Sequence, residues 1–116
     1  MYALKNKVQL IGNLGNAPEV KTTKSDKKLA RFSIATNEIY RNAKGEKVKE
    51  TTWHNAVAWG KVAELAEKYL TKGKDVAIEG KLINRSYTDK DGNKKYVTEV
   101  EVNEILMLGG KAEVSA

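Results

Sequence analysis

Trp53 and Trp59 lie six residues apart in a segment, 47–59, that reads as a β-strand. Side chains alternate sides along a strand, so this even spacing puts both indoles on one face, with Asn55 and Val57 between them. Neighbouring segments add two aromatics that sit beside cations, Tyr40 with Arg41 and Tyr87 with Arg85. Flat rings interleaved with positive charge suit one kind of chemistry. The rings stack on nucleobases whatever their identity, and the cations neutralise backbone phosphates. Large aromatics are usually buried, so two tryptophans on one face also fit a core position; the adjoining charges favour the surface.

Such residues need a frame that holds strands side by side, and the chain reads as strands broken by one helix. Residues 5–14 are rich in β-branched and apolar types, with Gly12 placed for a bulge or sharp bend. Residues 17–28 hold the only proline in a polar stretch that reads as a long loop or a ragged hairpin. Residues 29–40 alternate, with Ala30, Phe32 and Ile34 on one face and Arg31, Ser33 and Ala35 on the other. Asn42-Ala43-Lys44-Gly45 signals a turn into 47–59, which completes a hairpin. The period then changes. Val62, Leu65, Ala66, Tyr69 and Leu70 form the apolar stripe of a short helix, stopped at Lys72-Gly73. Residues 75–87 form a further strand, with Val76, Ile78 and Leu82 on one face and Gly80 as a bend. Asp91-Gly92 marks a turn, and residues 94–108 form the last strand, where Tyr96, Thr98, Val100 and Val102 share a face. Five strands with a helix between the third and fourth match an all-β architecture, the five-stranded Greek-key barrel called the OB-fold. Its oligonucleotide surface centres on the second and third strands, where the tryptophans fall, and on the loops joining strands 1–2 and 4–5, the latter entered by Tyr87.

Composition narrows the function classes. A chain of 116 residues is one domain long. With no cysteine, it has no disulfide framework, thiol nucleophile or thiolate metal site. No apolar run approaches the ~18–20 residues of a membrane span, and MYALKNKVQLIG lacks the pattern of a signal peptide. A cytoplasmic protein without a membrane partner is the expectation. The charge is uneven: residues 1–60 carry 11 Lys/Arg against 5 Asp/Glu, whereas residues 61–116 carry 10 of each. A basic half suits an anionic partner, nucleic acid before membrane, although a solvated lysine-rich surface has the same composition.

Several separate motifs, in order, carry a resemblance. They are NKVQLIGNLG with Pro18-Glu19-Val20, then TTWHNAVAWGKVAELAEKYLTKG, then VAIEGKL, YTDKDGNKKYVTEV and MLGG. Together they resemble the bacterial single-stranded DNA-binding protein family over nearly the whole chain. The resemblance implies an OB-fold domain over residues 1–110 and a short disordered tail over 111–116. It also implies a homotetramer that coats single-stranded DNA in replication, recombination and repair, in the cytoplasm on the nucleoid. No catalytic activity, metal or cofactor goes with it. The family's stacking aromatics carry over to Tyr40, Trp53, Trp59 and Tyr87. The best-known members have Trp in place of Tyr40 and Tyr87, and often Phe in place of Trp59; each change keeps a π-face. Phosphate-contacting cations carry over to Arg41, Lys61, Lys72 and Arg85, with Lys7 and Lys21 as further candidates, while Ser86 replaces a basic residue common in the family. Family members usually end in a flexible linker and an acidic tip that recruits DNA-processing enzymes. This chain ends at Glu113-Val114-Ser115-Ala116 without one, so recruitment through that tip is not assigned to it.

The remaining candidates read as structural. His54, the only histidine, faces away from Trp53 with Ala56 and Ala58; the resemblance suggests a subunit contact there, which protonation in mild acid would loosen. Glu99, Glu101 and Glu104 form the densest acidic group and read as a solvated outer face. GNLGNAP lacks the lysine and spacing of a phosphate-binding loop. Phe32 is expected in the core and Tyr69 against the barrel, with Tyr96 either core or binding surface. Two rival readings remain, an OB-fold RNA-binding or primosome-associated protein and an interaction module whose aromatic face binds protein. A nuclease would need a carboxylate–metal cluster that the sequence does not offer.

Overall fold

A computed structural model describes residues 5–108. Six strands and one helix follow in order: β1 (Val8–Leu14), β2 (Glu19–Thr22), β3 (Lys28–Arg41), β4 (Lys47–Trp59), α1 (Gly60–Tyr69), β5 (Asp75–Thr88) and β6 (Lys94–Met107). Hydrogen bonding runs β1-β5-β6-β4-β3-β2, and a second pairing of β1 with β3 closes the five long strands into a barrel. This is the OB-fold the alternation pattern predicts, with the helix between the third and fourth barrel strands. The 17–28 stretch resolves as the hairpin: β2 pairs with the outer edge of β3, from Glu19 opposite Arg31 to Thr22 opposite Lys28. The expected tail over 111–116 lies outside the described residues.

Closure happens at β1. From Val8 to Asn13 it pairs with β5, while Asn13 and Leu14 also pair with Ala35 and Ile34 of β3. Gly12 is therefore not a bulge but a crossing point, where a Cβ would fall on the backbone carbonyl of Ala35. The irregularity in the sheet lies elsewhere, between Glu79 and Gly80 on β5 opposite β6, and a Cβ on Gly80 would meet the Glu101 carbonyl. Both glycines are required by close backbone approach, since both strands are otherwise extended.

The interior is filled by the even-numbered residues of β3 and β4 (Ala30, Phe32, Ile34, Ala56, Ala58) together with Leu14, Val76, Ile78, Val100 and Val102. Leu82, expected on the same face as Val76 and Ile78, is exposed because β5 has by then passed its last pairing with β1, at Gly80. The helix buries Ala63 and Ala66, and Leu70, which caps its C-terminus, is buried beside them. Of the predicted stripe, Ala66 and Leu70 are buried, whereas Val62, Leu65 and Tyr69 are only half-buried, and Ala63 joins the contact in their place. Small residues sit at the contact because they let the helix backbone approach the barrel closely, and the larger ones pack along its sides.

β3–β4 and β5–β6 continue beyond the barrel as two-stranded arms, closed by the same turn chemistry. Asn42 Oδ1 accepts from the Lys44 and Glu46 amides at 2.9 and 3.0 Å, and Asp89 Oδ1 accepts from the Asp91 and Asn93 amides at 3.0 and 2.9 Å. The fourth turn residue is left-handed in each, Gly45 at φ 79° and Gly92 at φ 84°. Side-chain acceptors at the first position and glycine at the fourth are local signals, which is why both turns were legible.

Candidate nucleic-acid interface

Residues paired across antiparallel strands share a face, so the register defines the surface. Leu29–Trp59, Arg31–Val57, Ser33–Asn55 and Ala35–Trp53 are successive pairs of β3 and β4 on the outside of the barrel. Val57 lies beside Glu101 of β6. The same outer face then continues through the pairs Glu99–Ile83, Val97–Arg85 and Lys95–Tyr87. One curved face across β3, β4, β6 and β5 thus gathers Trp53, Trp59 and Tyr87, which are 60%, 37% and 48% exposed. Large aromatics left this open on a small domain mark a contact surface. The core reading for the tryptophans is excluded.

The rings are seated individually. Trp53 packs over Gly15: a Cβ on Gly15 would overlap the indole edge and come within 2.7 Å of the Ser33 hydroxyl. The β1–β2 loop is held in that place by the Gly15 amide, which donates to the Ser33 carbonyl at 2.9 Å. Asn16 Oδ1 accepts from the Ser33 amide and hydroxyl at 3.1 and 2.8 Å. One side of the Trp53 ring is thereby backed by protein. Gly15→Ala is expected to displace the indole and weaken oligo(dT) binding several-fold while leaving the melting temperature nearly unchanged; a variant with wild-type fluorescence quenching would refute this seat. Lys27 Nζ lies 5.8 Å from the Trp59 ring centre, and the Arg85 guanidinium 5.9 Å from that of Tyr87, both within cation–π range.

Between the rings runs a groove whose floor the sequence did not reveal. Glu99, read as part of a solvated acidic face, is 5% exposed and carries two arginines. Arg85 donates through Nε to Oε1 at 2.9 Å and through Nη2 to Oε2 at 3.2 Å. Arg31 donates through Nη1 to Oε2 at 2.6 Å. Burial pushes the Glu99 carboxyl up, but the hydrogen bonds and charges of Arg85 and Arg31 outweigh it and hold the group below its ordinary value. The same hydrogen bond to Glu99 raises Arg85. A depressed carboxyl stabilises the fold fully above its unfolded pKa and loses that contribution as pH falls through the folded value. Stability is therefore expected to decline below pH 4.5, the ordinary value for this group. Urea unfolding across that range would show Glu99→Gln with a shallower decline; an identical decline would mean other carboxylates govern it.

The other proposed sites are dispersed. By register Tyr40 pairs with Val48 on the opposite face of the β3–β4 arm from Trp53, and its ring is half exposed. Arg41, at the arm's tip, donates to the Gly45 carbonyl at 2.8 Å. Lys21 pairs with Leu29 and so shares the Trp59 face. Lys72 is exposed in the turn after α1. Lys7 is tied to Glu79 at 3.1 Å, and Lys61 lines a separate apolar groove with Ile11, Leu65 and Leu106; neither borders the aromatic groove. His54 is half-buried at the end of the barrel interior, its Nε2 2.9 Å from the Thr36 hydroxyl. Tyr96 is exposed outside the core, with Lys94 Nζ 5.7 Å from its ring. Among the described residues no group of three or more His, Cys, Asp or Glu could hold a metal, and no helix is long and apolar enough to cross a membrane.

Comparison with known proteins places this geometry. Residues 5–108 match the single-strand binding protein family. The chain is 47% identical over 107 residues to single-stranded DNA-binding protein 1 of Chlorobaculum tepidum, covering 91% of this chain and 66% of the relative. It is 44% identical over 108 residues to the single-stranded DNA-binding protein of Xanthomonas campestris, covering 93% of this chain and 63% of that one. The chain thus spans slightly less than two thirds of these relatives. Among solved structures, a Plasmodium falciparum SSB in complex with ssDNA superposes with a TM-score of 0.81 at 33% identity, covering 90% of this chain and 95% of the other.

Proposed function

The chain belongs to the single-strand binding protein family, and on that premise we propose that it binds single-stranded DNA without reading its sequence. The observation that carries this reading is the single outer face on which Trp53, Trp59 and Tyr87 alternate with Arg31, Arg85 and Lys21. Bases stack on the exposed rings, which accept any base because every base has a π-face. Cations along the face track the backbone and release counterions, so affinity falls with salt by about 0.7 log units per log unit for each phosphate neutralised. Paired bases cannot leave their stack to meet the rings, which discriminates against duplex. Asn55, Ser33 and Asn16 border the groove and supply hydrogen bonds that need no particular base. The two arms, rich in lysine, extend the track beyond the barrel, with Tyr40 and Arg41 on one and Tyr87, Lys94 and Lys95 on the other.

In this reading the protein coats single strands during replication, recombination and repair in the cytoplasm, and performs no covalent chemistry. It assembles as a homotetramer, and the strongly exposed Ile11 and Leu106 on the flank away from the aromatic groove suit a subunit contact. Titrating the intrinsic tryptophan fluorescence with oligo(dT), a matched duplex and oligo(rU) at two salt concentrations tests the proposal. Strong, salt-dependent quenching by oligo(dT) with little response to duplex is expected. Comparable quenching by oligo(rU) would turn the reading to RNA, and no quenching would refute nucleic-acid binding at this face.

A further inference from the structure

Glu99 is the only buried charged side chain among the described residues, and it lies at the bottom of the groove meant to receive an anion. A buried carboxylate needs one cation to compensate it; this one has two. Arg85 spends Nε and Nη2 on Glu99, and Arg31 spends Nη1. A guanidinium has five N–H donors, so both keep donors in reserve. Their side chains remain 35% and 40% exposed, at a groove also bordered by Asn16, Ser33, Asn55 and Tyr87. Glu19, across from Arg31 on β2, is the other carboxylate lining this groove, and it is open to solvent.

We propose that Glu99 is an internal counter-anion of the DNA groove. It engages one edge of Arg31 and of Arg85, leaves the remaining donors to a single backbone phosphate, and so limits how tightly that phosphate is held. The inference rests on the single-strand binding reading of the same face. Physically, the carboxylate does two opposed things. It orients two flexible cations before the strand arrives, which removes an ordering cost. It also supplies a permanent negative charge close to the incoming phosphate, which weakens the attraction in a partly desolvated site. Because the guanidiniums outnumber the carboxylate, the second effect governs. The trio of Arg31, Arg85 and Glu99 keeps an excess of one positive charge where the two arginines alone would present two, and the solvent-open Glu19 subtracts from both figures alike. A coat that must be stripped from the strand as readily as it is laid down benefits from such a limit.

The test compares wild type with Glu99→Gln and Arg31→Gln, reading oligo(dT) affinity between about 50 and 200 mM salt. Glu99→Gln, which keeps shape and removes charge, is expected to bind more tightly at low salt. Its salt slope should stay close to that of wild type, because the same single phosphate is neutralised in both. Arg31→Gln leaves a neutral Arg85–Glu99 pair and is expected to flatten the slope by about 0.7. It remains decisive if Glu99→Gln fails to fold. A second readout needs no DNA: inorganic phosphate is expected to raise the melting temperature of Glu99→Gln more than that of wild type, as it relieves two arginines left facing each other. Weaker low-salt binding by Glu99→Gln, or an unchanged slope in Arg31→Gln, would overturn the inference while wild-type binding upholds the single-strand reading. Equal phosphate effects on Glu99→Gln and wild type would overturn it without reference to DNA. Failure of the wild type itself to bind oligo(dT) would instead sink the reading it rests on.

Discussion

Trp53→Ala is expected to weaken oligo(dT) binding by about 1–3 kcal/mol, which is roughly 5- to 150-fold in Kd. The indole is 60% exposed in the free protein, so its removal takes little from the core. The change in unfolding free energy should stay within about 0.5 kcal/mol, as for other surface substitutions. That separation is the point of the experiment. Trp53 is backed by Gly15 and the β1–β2 loop, so the ring is presented without having to be ordered by the strand. Anisotropy titrations paired with thermal melts of the same preparations would check it. Unchanged affinity, with stability intact, would mean that bases do not stack on this ring. A large loss of stability would mean that the ring supports the fold, despite its exposure.

Gly12→Ala is expected to damage the fold by more than the ~1–3 kcal/mol of ordinary overpacking. The new Cβ would fall on the carbonyl oxygen and carbon of Ala35 and approach the Ile34 Cγ2 at 3.1 Å. A flexible side chain could swing away, but a backbone carbonyl in the middle of β3 cannot. Relief requires β1 to move off β3, which breaks the Asn13–Ala35 and Leu14–Ile34 pairings that close the barrel. Those neighbours hold the β1–β2 loop under Trp53, so the variant should also lose oligo(dT) affinity in proportion to its unfolded or opened fraction. Urea denaturation with the same oligonucleotide titration measures both. Near wild-type stability would show that β1 and β3 can separate at little cost.

The contrast between these two positions shows what was legible beforehand. The aromatic spacing at Trp53 and Trp59, the alternation through Phe32 and Ile34, and the Asn42 and Asp89 turns depend on geometry that repeats within a few residues. The succession of strands along the chain and the position of the helix followed from the same signals. The resemblance to single-strand binding proteins also located the aromatics, but it could not say that Tyr40 faces away from Trp53, since that depends on following the β3–β4 register along the arm. Lys61, and Lys7 as a further candidate, are phosphate contacts by the resemblance alone, which says nothing of their neighbours in the fold. In the fold Lys7 is engaged by Glu79 and Lys61 sits on a different flank.

The helix and the acidic cluster show the same limit from the other side. The apolar stripe of α1 includes Ala66 and Leu70, which are buried, but it omits Ala63, which is buried beside them because closeness of approach selects small side chains. Glu99 looked solvated because strand alternation reports which side a residue faces and not what lies above it. Arg31 is 68 residues away in the chain and Arg85 is 14. By itself, then, the amino-acid sequence determined the elements, their turns, the aromatic face and the family, all written in short-range periodicity and local motifs. Only the tertiary structure decided that β1 closes the barrel at Gly12, that Gly15 backs Trp53, and that two arginines meet on one buried carboxylate. Those contacts join residues far apart in sequence, and they exist only once the barrel's curvature brings separate strands together.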